Sequence, residues 1–294
     1  MTTIPSPPQE CNWDADGLRF AGLAWGPENG TPILMLHGWM DHAGSFQQLA
    51  PRLNGCRVVA LDLSGQGQSA HRSADATYNI WDDLPQIAAI LDQLKWESCV
   101  LVGHSRGANI AALFAAAQPD RVRALVSLDS LAPEPHEESV VTTLRAFIEQ
   151  TGEQKARAPR KFADMAEYTA RRSAQGNSQQ TSDALAARAL DEHPDGFEMR
   201  GDRRLFASSA IKLKQVDVEA VLQALRCPVL NIWARDGIKN KRSKVATLVR
   251  LGKTLIEHYE RVELPGDHHF HLDPAISQEI ASTITSFLDR HNLR

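Results

Sequence analysis

The chain opens with one hydrophobic pattern and then changes to another. After a Pro-rich start, "ECNWDADGLRFAGLAWG" alternates apolar and polar residues around Asp16-Gly17, the period of a strand and the turn of a hairpin. Short unbroken apolar runs follow: "PILMLHG", "CRVVALDL", "CVLVGHS", "ALVSLDS", "CPVLNIW" and "RVELPG". Most are separated by helix-like segments such as "SFQQLAPRL", "NIWDDLPQIAAILDQL" and "GANIAALFAAAQPD". Runs without alternation suit strands buried on both faces, and strand–helix alternation requires a mostly parallel sheet. The pattern predicts an α/β fold. It fails between Ala132 and about Leu225, where the sequence reads as polar helix, and the strand signal resumes at Cys227. The expected organisation is a core formed by 1–131 and 227–294, with a helical insertion at 132–226 that leaves a strand end and returns to the sheet.

Composition narrows the class. At 294 residues, 43% hydrophobic and 23% charged, the chain has length for a sizeable core and an ordinary globular balance. A net charge of −4 gives no reason to expect nucleic acid or an anionic membrane as partner. The basic clusters "KARAPRK" and "NKRSK" are short and flanked by acids, as on solvated helix faces. Cys11, Cys56, Cys99 and Cys227 form no CxxC pair, so a reduced, cytoplasmic protein is expected. The N-terminus lacks the basic start and apolar core of a signal peptide, and no apolar run approaches the length of a membrane span.

The chemistry centres on "LVGHSRGA", in which Gly103-His104-Ser105-Arg106-Gly107 reads G-x-S-x-G between an apolar strand and a helix. A sharp turn there holds a serine hydroxyl above the sheet edge, with glycines two positions either side relieving the crowding. A serine becomes a useful nucleophile only when an imidazole takes its proton. Of eleven histidines, "LPGDHHFHLDPA" places His268, His269 and His271 after the last strand, on the same edge. "HHFHLD" superficially resembles a zinc motif, but Pro274 stands where a further histidine should be. Two acids end strands on that edge, Asp129 in "LVSLDS" and Asp236 in "NIWARDG". An oxyanion needs two convergent amides. The amide of Arg106 follows the nucleophile, and that of Trp39 lies in "LMLHGWMDHAGSF", a loop that His37 and Gly38 fix.

Taken together, "HGW" at 37–39, "LDLSGQGQS" at 61–69, "GHSRG" at 103–107 and "GDHHFHLD" at 266–273 resemble the α/β-hydrolase superfamily. "HGWMDHAGSFQQLAP", "RGDRRL" and "PGDHHFHLDP" are most similar to the serine-hydrolase-like (Kraken-type) esterases. The resemblance implies an eight-stranded, mostly parallel sheet with helices on both faces and a helical cap. It also implies His268 as base, with His269 the adjacent alternative, His271 as structural, and Asp129 rather than Asp236 as the acid, since "WARDG" departs from the family's W-G-x-x-D. Ser105 argues against the aspartate nucleophile of related dehalogenases and epoxide hydrolases. "GQG" is too short for a dinucleotide fingerprint. The expectation is therefore a hydrolase of small-molecule carboxylic esters or thioesters, working through an acyl-enzyme without cofactor or metal. Cofactor-free dioxygenation by a His–Asp pair, C–C bond hydrolysis and a non-catalytic binding role are the alternatives. Arg106 is read as a surface ion pair, the alternative being a contact to a substrate carboxylate. Leu144, Phe147, Phe162, Met165 and Phe206 are read as the insertion's own packing, the alternative being a pocket lining.

Overall fold

The computed structural model describes residues 7–174 and 176–294. The Pro-rich start therefore begins outside the described residues. In chain order the strands are β1 (Gln9–Ala15), β2 (Leu18–Trp25), β3 (Thr31–Leu36), β4 (Cys56–Leu61), β5 (Cys99–His104), β6 (Val122–Leu128), β7 (Lys161–Phe162), β8 (Leu190–His193), β9 (Gly196–Met199), β10 (Val229–Ala234) and β11 (Tyr259–Leu264). The helices are α1 (Leu84–Gln93), α2 (Arg106–Ala117), α3 (Val140–Ala156), α4 (Met165–Ala174), α5 (Gln179–Ala189), α6 (Gln215–Gln223), α7 (Ser243–Leu255) and α8 (Pro274–Arg290).

Eight strands form one sheet in the order β1-β2-β4-β3-β5-β6-β10-β11. The β1–β2 hairpin turns at Asp16 (φ 53°) and Gly17 (φ 73°), both left-handed, as a two-residue primed turn requires. β2 runs antiparallel to β4, and every later pairing is parallel. All these strands, β11 included, match apolar runs or the hairpin in the sequence.

The unbroken runs are divided between two helix layers. Leu34, Leu36, Leu101 and Leu125 pack with α1, α2, α6 and α7 on one face; Ile33, Met35, Val100, Val102 and Val126 pack with α8 and the 43–53 segment on the other. Full burial of each such side chain contributes about 1.5–3 kcal/mol. "SFQQLAPRL" forms two 3₁₀ turns, Ala43–Phe46 and Ala50–Arg52, instead of the expected α-helix. Pro51 falls inside the run and lacks the amide that a continuing helix needs.

The 132–226 segment is not all helical. β7, β9 and β8 form a small antiparallel sheet, with Gly196 (φ 121°) in the β8–β9 turn. α6 packs with the core, because Val218, Leu222 and Leu225 join the apolar cluster of α2 and α7. Residues of the segment before α6, among them Arg160, Phe162, Arg172, Met199 and Leu205, line the same cavity as Ser105 and His268. Among the described residues, no helix is long and apolar enough to cross a membrane.

Candidate active site

β5 ends at His104, and α2 begins at Arg106, so Ser105 alone makes the turn, at φ 51° and ψ −117°. Such a conformation persists only where the surroundings hold it. Its amide donates to the Leu128 carbonyl (3.1 Å), and its own carbonyl accepts from Ala108 (3.1 Å) and Asn109 (3.2 Å). The flanking glycines are there because nothing larger fits. A Cβ on Gly103 would stand 2.4 Å from Ala108 Cα, and one on Gly107 would stand 2.0 Å from the Leu36 carbonyl oxygen.

Three side chains from three strand ends meet at this turn. The Ser105 hydroxyl lies 2.9 Å from His268 Nε2, and His268 Nδ1 lies 2.7 Å from Asp129 Oδ2. Asp129 follows β6 at φ 45° and is fully buried. Its carboxylate also accepts from the amides of Ala234 (3.1 Å) and Ile238 (3.0 Å). Gly237 makes room for it, since a Cβ there would lie 2.2 Å from Asp129 Oδ1. Asp236, the other acid, is exposed, and its amide donates to the Gly266 carbonyl (3.0 Å). An Nδ1–H given to Asp129 leaves the Nε2 lone pair to receive the serine proton, the tautomer that general-base work needs.

Trp39 and Arg106 line the same cavity as Ser105 and His268. Among the described residues, neither backbone amide has a hydrogen-bond acceptor. The Trp39 indole N–H donates to the Leu205 carbonyl (3.0 Å), and its ring meets Phe206 edge-on. The loop carrying Trp39 is pinned as the sequence reading anticipated: the His37 ring bonds the Leu63 amide and the Gly38 carbonyl. A Cβ on Gly38 would lie 2.8 Å from Asp41 Oδ2.

Arg106 departs from expectation. It makes no ion pair among the described residues, lines the cavity, and has a buried Nε without a hydrogen-bond partner. Phe162 and Phe206 also line the cavity, whereas Leu144 and Met165 are exposed.

The histidine loop also holds a group that sequence reasoning missed. His269 donates to buried Asp41 (3.1 Å), and Arg172 of α4 donates to the other oxygen of the same carboxylate (3.0 Å) and to the Met40 carbonyl (3.1 Å). Burial opposes ionisation of Asp41, but His269 and Arg172 outweigh it and hold its carboxyl well below the ordinary range. The only sequence signal for this group was an aspartate two residues beyond Trp39. His104 is buried beneath, donating Nε2–H to the His268 carbonyl (2.7 Å), and burial keeps it neutral far below the usual imidazole range. His271 is fully buried and pushed down to about 3 by burial. Asp41, His104 and His269 stand close enough to share an ion, but the guanidinium on Asp41 opposes a second cation there. Of the three histidines that resembled a zinc motif, His268 bonds Asp129, His269 bonds Asp41, and neither ring nitrogen of His271 has a hydrogen-bond partner among the described residues.

The comparisons agree with this architecture. The family model described as the alpha/beta hydrolase fold matches residues 31–275. The chain is 31% identical to a serine hydrolase-like protein of Danio rerio, over 91% of this chain and 84% of that one. It is 30% identical to serine hydrolase-like protein 2 of Homo sapiens, over 92% and 90%. Among solved structures, the hypothetical protein PA1622 from Pseudomonas aeruginosa PAO1 superposes at TM-score 0.89 with 33% identity, covering 95% of this chain and 99% of that one. The thioesterase domain from the curacin biosynthetic pathway shares the fold at TM-score 0.80 and 24% identity. A sheet in this strand order, with a serine at the β5–α2 turn and matches spanning nearly the whole chain, places the protein: it belongs to the α/β-hydrolase fold family.

Proposed function

We propose that this chain is a serine hydrolase that cleaves carboxylic esters or thioesters of small to medium acyl groups through an acyl-enzyme. The observation that carries the reading is the continuous relay from Ser105 through His268 to Asp129, with contacts of 2.9 and 2.7 Å. Ser105 attacks the carbonyl carbon as His268 Nε2 takes its proton, and Asp129 stabilises the imidazolium that results. The charge that develops on the carbonyl oxygen is received by the amides of Trp39 and Arg106, at the positive end of α2. His268 then returns the proton to the leaving alcohol or thiol. Water, deprotonated by the same imidazole, attacks the acyl-serine and releases the acid. The chemistry calls on no metal or cofactor.

The residues from 132 to the start of α6 act as a cap over a cavity of about 730 Å³, a size suited to a small-molecule substrate. The four cysteines are free thiols, as a reducing, cytoplasmic setting would keep them. The serine hydrolase-like names of the relatives support the same activity.

The test is turnover of p-nitrophenyl esters from acetate to decanoate by the wild type and by Ser105→Ala. Turnover that falls by about 10³-fold or more in the variant is expected. A folded wild type with no turnover on any ester would set acyl transfer aside, and oxygen uptake with hydroxyquinolones would then test His–Asp chemistry.

A further inference from the structure

The cavity over Ser105 is unusually cationic for a chain of net charge −4. Its wall includes Arg106, Arg160, Arg171, Arg172 and Arg242, against the single carboxylate of Asp41. Three of these cations are answered within the protein: Arg172 by Asp41, Arg242 by Glu134 and Arg171 by Glu167. Arg106 and Arg160 have no ion pair among the described residues.

Arg106 is the more telling of the two. It directly follows Ser105, and its Nε is buried with no hydrogen-bond partner. Asp83 and Asp82 reach Arg106 only through their field: Asp83 accepts from Ser64 (2.8 Å) and Arg72 (3.4 Å), Asp82 accepts from the Asn79 amide (2.7 Å), and neither bonds Arg106 among the described residues. Burial lowers the Arg106 pKa, the direction that an incoming anion reverses. A buried guanidinium Nε without an acceptor, in a residue that lines the cavity, is a polar group that an incoming anion would satisfy. Its planar fork matches carboxylate and phosphate oxygens.

We infer that the substrate carries a compact oxyanion, a carboxylate or a phosphate, which Arg106 binds beside the reacting carbonyl while Arg160 adds positive field. This rests on the reading of Ser105 as nucleophile, and it names the substrate class for that site. Arg106 has two separable roles here, its amide facing the oxyanion and its side chain the substrate's charge.

The test begins with Ser105→Ala, in which hydrolysis is removed but the cavity is kept. Calorimetric titration at low salt compares adipate, phenyl phosphate and the uncharged hexanamide. An anion is expected to bind while hexanamide does not, and adding Arg106→Gln should weaken that binding about tenfold or more. Tighter binding of adipate or of phenyl phosphate identifies the group; equal binding leaves the shared oxyanion chemistry as the answer. In the Ser105-intact enzyme, mono-p-nitrophenyl adipate should exceed p-nitrophenyl hexanoate in kcat/KM by about tenfold. That ratio should collapse in Arg106→Gln and be partly rescued in Arg106→Lys. Anion binding indifferent to Arg106→Gln, or hexanamide binding as well as adipate, overturns the inference. If Arg106→Gln does not fold, the wild-type ratio and its loss at high salt decide the matter. Anion binding without any turnover would sink the nucleophile reading while leaving the anion subsite standing.

Discussion

Asp129 and Asp236 end neighbouring parallel strands, and in the sequence only the family resemblance separates them. In the structure, backbone and room separate them. Asp129 sits at φ 45°, which turns its carboxylate back along the sheet edge, and Gly237 leaves the space it occupies. Two amides and His268 then take its oxygens, while Asp236 remains in solvent. Asp129→Asn is expected to lower kcat by about 10²–10⁴, because the amide no longer holds the imidazole in its working tautomer. Asp236→Asn should stay within about twofold, as exposed substitutions usually do. Parallel ester assays on the two variants check this, and equal losses would remove Asp129 from the relay. Ser105, His268 and Asp129 were legible because motif order and family resemblance named them. Asp41 and Arg172 were not, since long-range packing between the Trp39 loop and α4 creates their pair. The expectation of a surface ion pair at Arg106 failed because the side chain is partly buried in the cavity wall, which no local pattern reveals.

At the scale of elements, glycines show where the sequence speaks plainly. Gly107 lies where a Cβ would meet the Leu36 carbonyl oxygen at 2.0 Å, so Gly107→Ala must push α2 away from β3. A cost of about 3 kcal/mol or more, or failure to fold, is expected. Gly152, inside α3, has nothing within 4 Å of an added Cβ, and Gly152→Ala should stabilise by about 0.5–1 kcal/mol through helix propensity alone. Denaturant midpoints of the two variants test the pair, and a stabilised Gly107→Ala would contradict the geometry. The core strands were readable because burial on both faces leaves an unmistakable apolar run. The β8–β9 hairpin went unread, although "HPDG" is a turn signal, because its strands are four residues each and lie among helices. α6 was placed with the insertion because helical periodicity does not say which surface a helix covers. Val218 and Leu222 show that it covers the core.

Across the whole molecule, the buried imidazoles tie stability to pH. Burial lowers the pKa of His37 and His104, and pushes His42 down to about 4 and His271 to about 3. In the unfolded chain each titrates near about 6.5. Between those values the unfolded chain binds more protons than the folded one, so stability falls as pH drops below about 6.5. Asp41, held low, adds a second loss only at more acid pH, as its carboxylate protonates. Melting temperature measured from pH 8 to pH 4.5 is expected to be level at first and then to decline steadily below about 6.5. A flat or rising profile would mean that these rings are charged in the fold.

The measurement that bears most directly on the central claim is intact mass after treatment with a fluorophosphonate, with peptide mapping, for the wild type and Ser105→Ala. The relay from Asp129 through His268 should make Ser105 the single reactive hydroxyl, so one adduct is expected, mapped to Ser105 and absent from the variant. A folded wild type that takes no adduct, or takes it on another residue, would contradict the assignment of Ser105 as the nucleophile.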